Sequence, residues 1–340
     1  MVAQHTGVHM ANDSPQRSGQ YWLALAAAGI GITAAAVLVV KAVLGGDHEP
    51  RAAPSTTSQS APPSSTPPPP LDPARRDCSA RPSECGYPDA SNTGISPGLV
   101  LHSSGCITAR DPGQVIENVS IKGCTIDVSA RNVTIRNVKI VIDSPELWAI
   151  IVRGPGSATI DHVDISGIDG ANHSVEYAVL SQTTNPVTVT HANLHNCADC
   201  IQGEYVTATD NYIHDVGGPP AAHLDGIQCD SNHGCHLTAT HNTVLSKGIA
   251  IALYGDFGTP VNTTISNNLV GGGSYTVYGG TSKSINIHIT DNRFSRAIYP
   301  NGGIWGPVAY FWPHNPGNTF TGNIWDDTGK PVTARVSSPR

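Results

Sequence analysis

Beyond residue 78 the chain has no stretch with a helical apolar period, and the two-residue turn signals of antiparallel hairpins are scarce. The first absence excludes a helical bundle or an α/β sheet for that part. The second argues against a β-sandwich or propeller. Positive charge is also short, with 19 Lys+Arg against 26 Asp+Glu and a net charge of −7. That balance argues against nucleic acid as a partner and leaves a polysaccharide open. Cysteine is missing from the first 77 residues, and all eight lie at 78, 85, 106, 124, 197, 200, 229 and 235. Charge is missing from Tyr21 to Val40, "YWLALAAAGIGITAAAVLVV".

That uncharged run is long enough to cross a bilayer as a helix. Tyr21 and Trp22 at its start suit the membrane interface. No A-x-A cleavage site follows it, so residues 21–44 read as an uncleaved signal anchor, with a cleaved signal peptide as the alternative. Residues 1–20 are then cytoplasmic. Residues 45–77 contain "APSTTSQSAPPSSTPPPP", a Pro/Ser/Thr stretch that cannot build a core and reads as a disordered linker. An even set of cysteines confined to the part after a membrane segment points to disulfides outside the cell. Buried free thiols are one alternative. Zinc at Cys197-x-x-Cys200 with Cys229 and Cys235 is another, although the second pair lacks ligand spacing. The most local pairing is 78–85, 106–124, 197–200 and 229–235. The remainder, 78–335, is long enough for one large domain, expected to be a monomer, with a short tail at 336–340.

Within that domain an octet recurs: "VTIRNVKI" at 133, "ATIDHVDI" at 158, "VTVTHANL" at 187, "VTATDNYI" at 206, "LTATHNTV" at 237, "TTISNNLV" at 263 and "IHITDNRF" at 287. Each alternates apolar and polar residues and is rich in Val, Ile and Thr, so each is a strand or a strand–turn–strand. A repeat of 19 to 31 residues made only of β segments predicts an all-β solenoid, a parallel β-helix. The sixth octet position is Asn211, Asn242, Asn268 and Asn292 in four successive repeats. Stacked in one row, these asparagines would hydrogen-bond along the solenoid axis.

The octets resemble the right-handed parallel β-helix superfamily of pectate lyases and polygalacturonases. "CGYPDASNTG" (85–94), "NNLVGGGSYTVYGG" (267–280) and "NRFSRAIYPNGGIWGPVAYFW…GNIWDDTG" (292–329) are similar to secreted or anchored actinobacterial β-helix proteins. The likeness covers roughly residues 85–335. "HLDGIQ" is similar to the polygalacturonase "NTDGI" motif, "ADCIQ" to its "DDCVA", and "KGIAI" falls where that family has "HGISI". The order of the first two motifs is exchanged, Ala198 stands for one aspartate, Lys247 stands for the histidine, and no Arg-x-Lys element follows.

Asp-x-Ile-Gln occurs twice, at Asp199–Gln202 and Asp225–Gln228. Aligning the short apolar runs before the octets on Ile150, Ala178, Ile201, Ile227, Ile249 and Val277 predicts one outward column of Trp148, Glu176, Asp199, Asp225, Lys247 and Tyr275. Two carboxylates one strand spacing apart have split pKa values, as glycoside hydrolysis requires. A lysine beside neutralised carboxylates is the base that β-elimination of a uronide requires. Asp199, Asp225 and Lys247 are therefore the candidate catalytic residues, with His223 as a candidate proton donor. Gln202, Gln228 and Glu176, with the aromatic residues Trp148, Tyr254, Tyr275 and Tyr278, are candidate sugar contacts. His214 and Asp215 are weaker candidates in the loop entering this coil. No calcium loop is written, but clustered acids make Ca2+ the cation to consider. The expected function is extracellular cleavage or modification of a polysaccharide, an acidic one, with a lyase ahead of a hydrolase. A non-catalytic carbohydrate-binding protein using the same groove is the alternative of another class.

Overall fold

The computed structural model describes residues 77–144, 147–230 and 234–334. The predicted anchor at 21–44, the segment before it, the linker to residue 76 and the tail lie outside these residues. Among the described residues no helix is long and apolar enough to cross a membrane. The one helical element there is a short 3-10 turn, Pro82–Cys85.

The domain is all-β and built from parallel ladders, an arrangement that matches a parallel β-helix. One sheet has nine strands that follow one another in chain order, from Ile107–Ala109 to Gly306–Ala309. The other has seventeen and carries the octets. Each octet after the first divides into two short strands, as at Val187–Thr190 and Asn193–His195. The division falls at the fifth octet position. Asn137, His162, His191, Asp210, His241, Asn267 and Asp291 all sit there with φ between 49° and 58°. Asn, Asp and His are the non-glycine residues that tolerate this left-handed region best. The octet is thus a strand, a left-handed corner and a second strand.

The corner turns the sixth side chain inward. Asn211, Asn242, Asn268 and Asn292 are all fully buried and form the predicted internal row. Asn211 Oδ1 accepts one bond from the preceding coil, from Ala192 N at 2.9 Å, and from Asn242 onward each amide oxygen accepts two: Asn242 Oδ1 takes Asn211 N at 3.0 Å and Asn211 Nδ2 at 2.9 Å. Each Nδ2 also donates to a backbone carbonyl, Asn242 to Ala208 O at 2.9 Å. The row extends one coil further than the octets revealed, to Asn323, which accepts from Asn292 N and Nδ2. In that coil Gly322 occupies the corner, with φ of 70°. Aliphatic side chains from both sheets fill the rest of the interior, among them Ile135, Ile160, Val189, Ile201, Ile227, Ile251, Ile265 and Ile289.

All four disulfides join the local pairs 78–85, 106–124, 197–200 and 229–235. With every cysteine paired, neither free thiols nor a cysteine zinc site remains.

Residues 77–100 run back along the solenoid, from its last coil to its first. Cys78 N donates to Asp326 Oδ2 at 2.8 Å, and Asp326 also holds Arg293 at 2.7 Å. Tyr87 stacks on His241 and its hydroxyl donates to Asn267. Gly94 N donates to His191 O, and Ser96 N to Asn137 Oδ1. The chain then enters the first coil through His102–Ser104, paired with Val115–Lys122.

Replacing Asn242 by Ala leaves Asn211 N without an acceptor, leaves Asn211 Nδ2 with only its bond to Val189 O, and leaves Ala208 O without its side-chain donor. Each orphaned buried group costs about 1–3 kcal/mol. The N242A protein should therefore melt at least about 5 °C below wild type by calorimetry, whereas a surface change such as Thr238→Ala should move the midpoint little.

Candidate functional site

The register of the nine-stranded sheet decides which side chains meet. Asp199 pairs with Asp225, Ile201 with Ile227 and Gln202 with Gln228, as the doubled tetrapeptide predicts. In each run the second and third residues are buried and the first and fourth turn to the outer face. In the first copy Cys200 and Ile201 are fully buried, while Asp199 and Gln202 line a cleft. Gly226 takes the place of Cys200 in the second copy. A Cβ there would stand 2.4 Å from Val244 Cγ1 and 2.7 Å from Ala250 O. The Cys197–Cys200 disulfide brackets Asp199.

The flanking coils correct the predicted column. Trp148 and Asp199 both pair with Tyr177, which takes the place expected for Glu176. Asp225 pairs with Ile249, and Ile251, not Ile249, aligns with Ile227. Lys247 is therefore not in the column. It is exposed in the turn before Ile249–Leu253 and lines a separate cavity of about 920 Å³ with Asp215 and Ser246. The actual repeat is a small residue followed by a β-branched one: Ala149-Ile150, Ala178-Val179, Cys200-Ile201, Gly226-Ile227, Ala250-Ile251, Thr276-Val277. This pattern was present in the sequence and distinguishes Tyr177 from Glu176, but Gly248-Ile249 satisfies it as well as Ala250-Ile251, so the coil after Asp225 stays open without the structure.

The cleft over Asp199 has a volume of about 510 Å³ and is lined by Glu176, Tyr177, Gln202, His223, Gln228 and Tyr254 among others. A second hollow of about 640 Å³ shares Glu176, Tyr177, Gln202, Asp230 and Phe257 with it and adds Trp148 and Glu204. Glu176 thus reaches the cleft from beside the column, and Trp148 Nε1 donates to its Oε2 at 2.9 Å. Asp230, Glu204 and Asp256 were not singled out from the sequence. Among the described lining residues of both hollows there is no lysine or arginine. His214 and Asp215 belong to the other sheet and its turn, where they contact each other at 2.7 Å.

An aromatic strip continues the cleft toward the C-terminal coils. Tyr254 meets Tyr278 edge-on at 5.7 Å, and Tyr278 meets Tyr275 at 6.0 Å and Tyr310 at 5.3 Å. Tyr275 meets Trp305 at 5.8 Å, and Tyr310 stacks near Trp312 at 6.4 Å. Trp305 and Phe257 are 62% and 66% exposed, much more than large aromatics in a core. Trp305, Tyr310 and Trp312 lie after the last octet recognised in the sequence, so nothing there tied them to this face.

Asp199 and Asp225 are both buried. Asp225 N donates to Asp199 Oδ1 at 3.2 Å, and the Tyr254 hydroxyl donates to Asp225 Oδ1 at 3.4 Å. Asp225 Oδ2 is buried without a hydrogen-bond partner. Burial, followed by the charge of Asp225, pushes Asp199 well above the usual carboxylate range. Burial alone pushes Asp225 the same way, against the opposing bond from Tyr254. Burial and the nearby carboxylates also raise Tyr177 and Tyr254, so both phenols keep their protons. The pair can hold a proton at neutral pH. Its oxygens, with Gln228 Oε1, which is also unpartnered, fit a hard cation such as Ca2+ by donor type. A second set of possible metal ligands, Asp161, His162 and His191, lies on the other sheet.

Because both carboxyl pKa values are raised on folding, the sign of the pH effect is fixed. In acid the groups are protonated in folded and unfolded chains alike. As pH rises above the ordinary carboxylate value of 3.8, only the unfolded chain releases its protons freely, so stability falls as pH climbs through the folded-state values. The D199N/D225N protein should therefore gain melting temperature relative to wild type between pH 4 and pH 8 in chelator-containing buffer. A gap that closes or reverses with rising pH would mean that the pair is ionised and favourably held. No family model, no curated protein and no solved structure matches this chain, so what the cleft does has to be read from its own residues.

Proposed function

We propose that this protein is a glycan-processing β-helix of the right-handed, pectate-lyase-like kind, and that the Asp199 cleft hydrolyses a neutral polysaccharide. The observation that carries this is a buried carboxyl pair, biased toward protonation, in an acid-rich cleft continued by exposed aromatic rings. Asp199, which lines the cleft, is the proton donor to the leaving oxygen. Asp225 behind it keeps that proton in place through burial and like charge. Glu176, held by the Trp148 indole, is the first choice for the second carboxylate, and Asp230 is the other. The aromatic strip gives sugar rings apolar faces to stack on.

Hydrolysis now leads β-elimination because Lys247, the base of the lyase reading, lines a different cavity. A neutral glycan now leads an acidic one because five carboxylates, Glu176, Asp199, Glu204, Asp230 and Asp256, line the cleft and the hollow beside it, with no lysine or arginine among the described lining residues. A bound Ca2+ would reverse that second argument, so it forms one arm of the test. The four disulfides fit a compartment outside the cytoplasm, and residues 21–44 are the proposed anchor there.

The full-length protein should release reducing ends from a neutral glycan in a panel of glucans, xylans, mannans and uronates, with or without Ca2+. It should give no unsaturated ends detectable by absorbance. D199N should lower turnover roughly 10²–10⁴-fold while glycan binding persists, E176Q should be similarly impaired, and K247A should match wild type. Calcium-dependent unsaturated products from a uronate would replace this reading with a lyase. Glycan retention without any turnover by wild type would leave a binding module.

A further inference from the structure

The corner row that turns each octet carries imidazoles on two successive coils, and an aspartate immediately precedes the first. Thr190 pairs with Asp161, which sets His191 directly over His162. Their rings stack 4.6 Å apart with planes 18° from parallel. Both Nδ1 atoms turn to the same carboxylate: His162 to Asp161 Oδ2 at 2.9 Å and His191 to Asp161 Oδ1 at 3.1 Å. Thr190 Oγ1 donates to Asp161 Oδ1 at 2.8 Å and holds the carboxylate from a third side. The three candidate ligand atoms lie within 4.8 Å of one another. The side chains of Asp161, His162 and His191 are 35%, 34% and 41% exposed, so one side of the group is backed by the sheet and the other is open to water.

We propose that Asp161, His162 and His191 form a binding site for one divalent transition metal ion of the zinc class, clamping two adjacent coils on the sheet that does not carry the cleft. Two imidazole nitrogens and one carboxylate oxygen suit Zn2+, Ni2+ or Cu2+ and not Ca2+ or Mg2+, which take all-oxygen shells. Metal–ligand bonds of about 2.0–2.1 Å place neighbouring ligand atoms about 3.3 Å apart in a tetrahedron. The two His–Asp spacings, one to each carboxylate oxygen, are within a few tenths of an ångström of that value, so a small turn of the carboxylate would bring one or both oxygens to the metal. The metal takes over the role of the Nδ1 protons, each imidazole then carrying its proton on Nε2, and water completes the shell. The neighbouring corner pair, Asp210 with His241, has a single imidazole, and Tyr87 stacks on it.

The test is calorimetric titration of the full-length protein with Zn2+, and with Ca2+ as the control. The H162N/H191N double variant is the comparison, because asparagine already fills this left-handed corner at Asn137 and Asn267, so the coil should fold. D161N, which keeps both rings, is the second variant. Wild type should show one more Zn2+ equivalent than H162N/H191N, and Zn2+ should raise its melting temperature. D161N should bind that equivalent at least tenfold more weakly, H241N should behave as wild type, and Ca2+ should give no difference between the proteins. His5, His9 and His48 are common to all of them and cancel. Equal Zn2+ stoichiometry and affinity in wild type and H162N/H191N, or no Zn2+ binding at all, would overturn the assignment.

Discussion

Everything in this domain depends on coils stacking in register, and the left-handed corner is where the register is set. A corner residue with positive φ forces the chain to turn and sends the next side chain inside. Where that side chain is asparagine, its amide reads the coil below and the coil above at once. A buried asparagine shifted by one residue would have neither partner. The row from Asn211 to Asn323 therefore penalises slippage far more than the aliphatic rows beside it, which accept any neighbour of similar volume.

Register also explains the electrostatics of the cleft. A parallel stack places like residues over like, so a tetrapeptide written twice puts two carboxyls on neighbouring strands with no freedom to separate. Burial beneath Tyr254 and the bracketing Cys197–Cys200 disulfide limit their escape to solvent. A proton, or a cation, is the direct way to relieve the repulsion. The same stacking acts on the opposite sheet, where His162 and His191 lie ring over ring.

Much of this was legible in the residues. The octets gave the strands, the asparagines gave the interior row, and the repeated Asp-x-Ile-Gln gave the pair at the centre of the cleft. The misses have physical causes. "KGIAI" offers two isoleucines two positions apart, and a slip of two residues preserves which face is buried, so alternation could not choose Ile251 over Ile249. That error put Lys247 beside the acids. "EYAVL" buries both Ala178 and Val179, and only the small-then-branched order picks Tyr177 over Glu176 for the column. The last coil escaped notice because Gly322 stands at its corner in place of Asn, Asp or His. Asp230, Trp305 and Tyr310 reach the cleft face from loops or from coils beyond the octets, where no period points to them.

Solenoids of this kind commonly gain and lose repeats, since each coil needs only its neighbours. Here the segment from Cys78 to Ser96 is tied to the last coil at Asp326 and, near the other end, to Asn137, before the chain enters the first coil at His102. One added coil would move those ends about 4.8 Å apart, more than one extended residue can span. The segment therefore acts as a ruler: an internal duplication would have to lengthen it too, or give up either its attachment at the last coil or its entry into the first. Coil number in this protein is fixed from outside the repeats, and the stretch least like a repeat is the one that counts them.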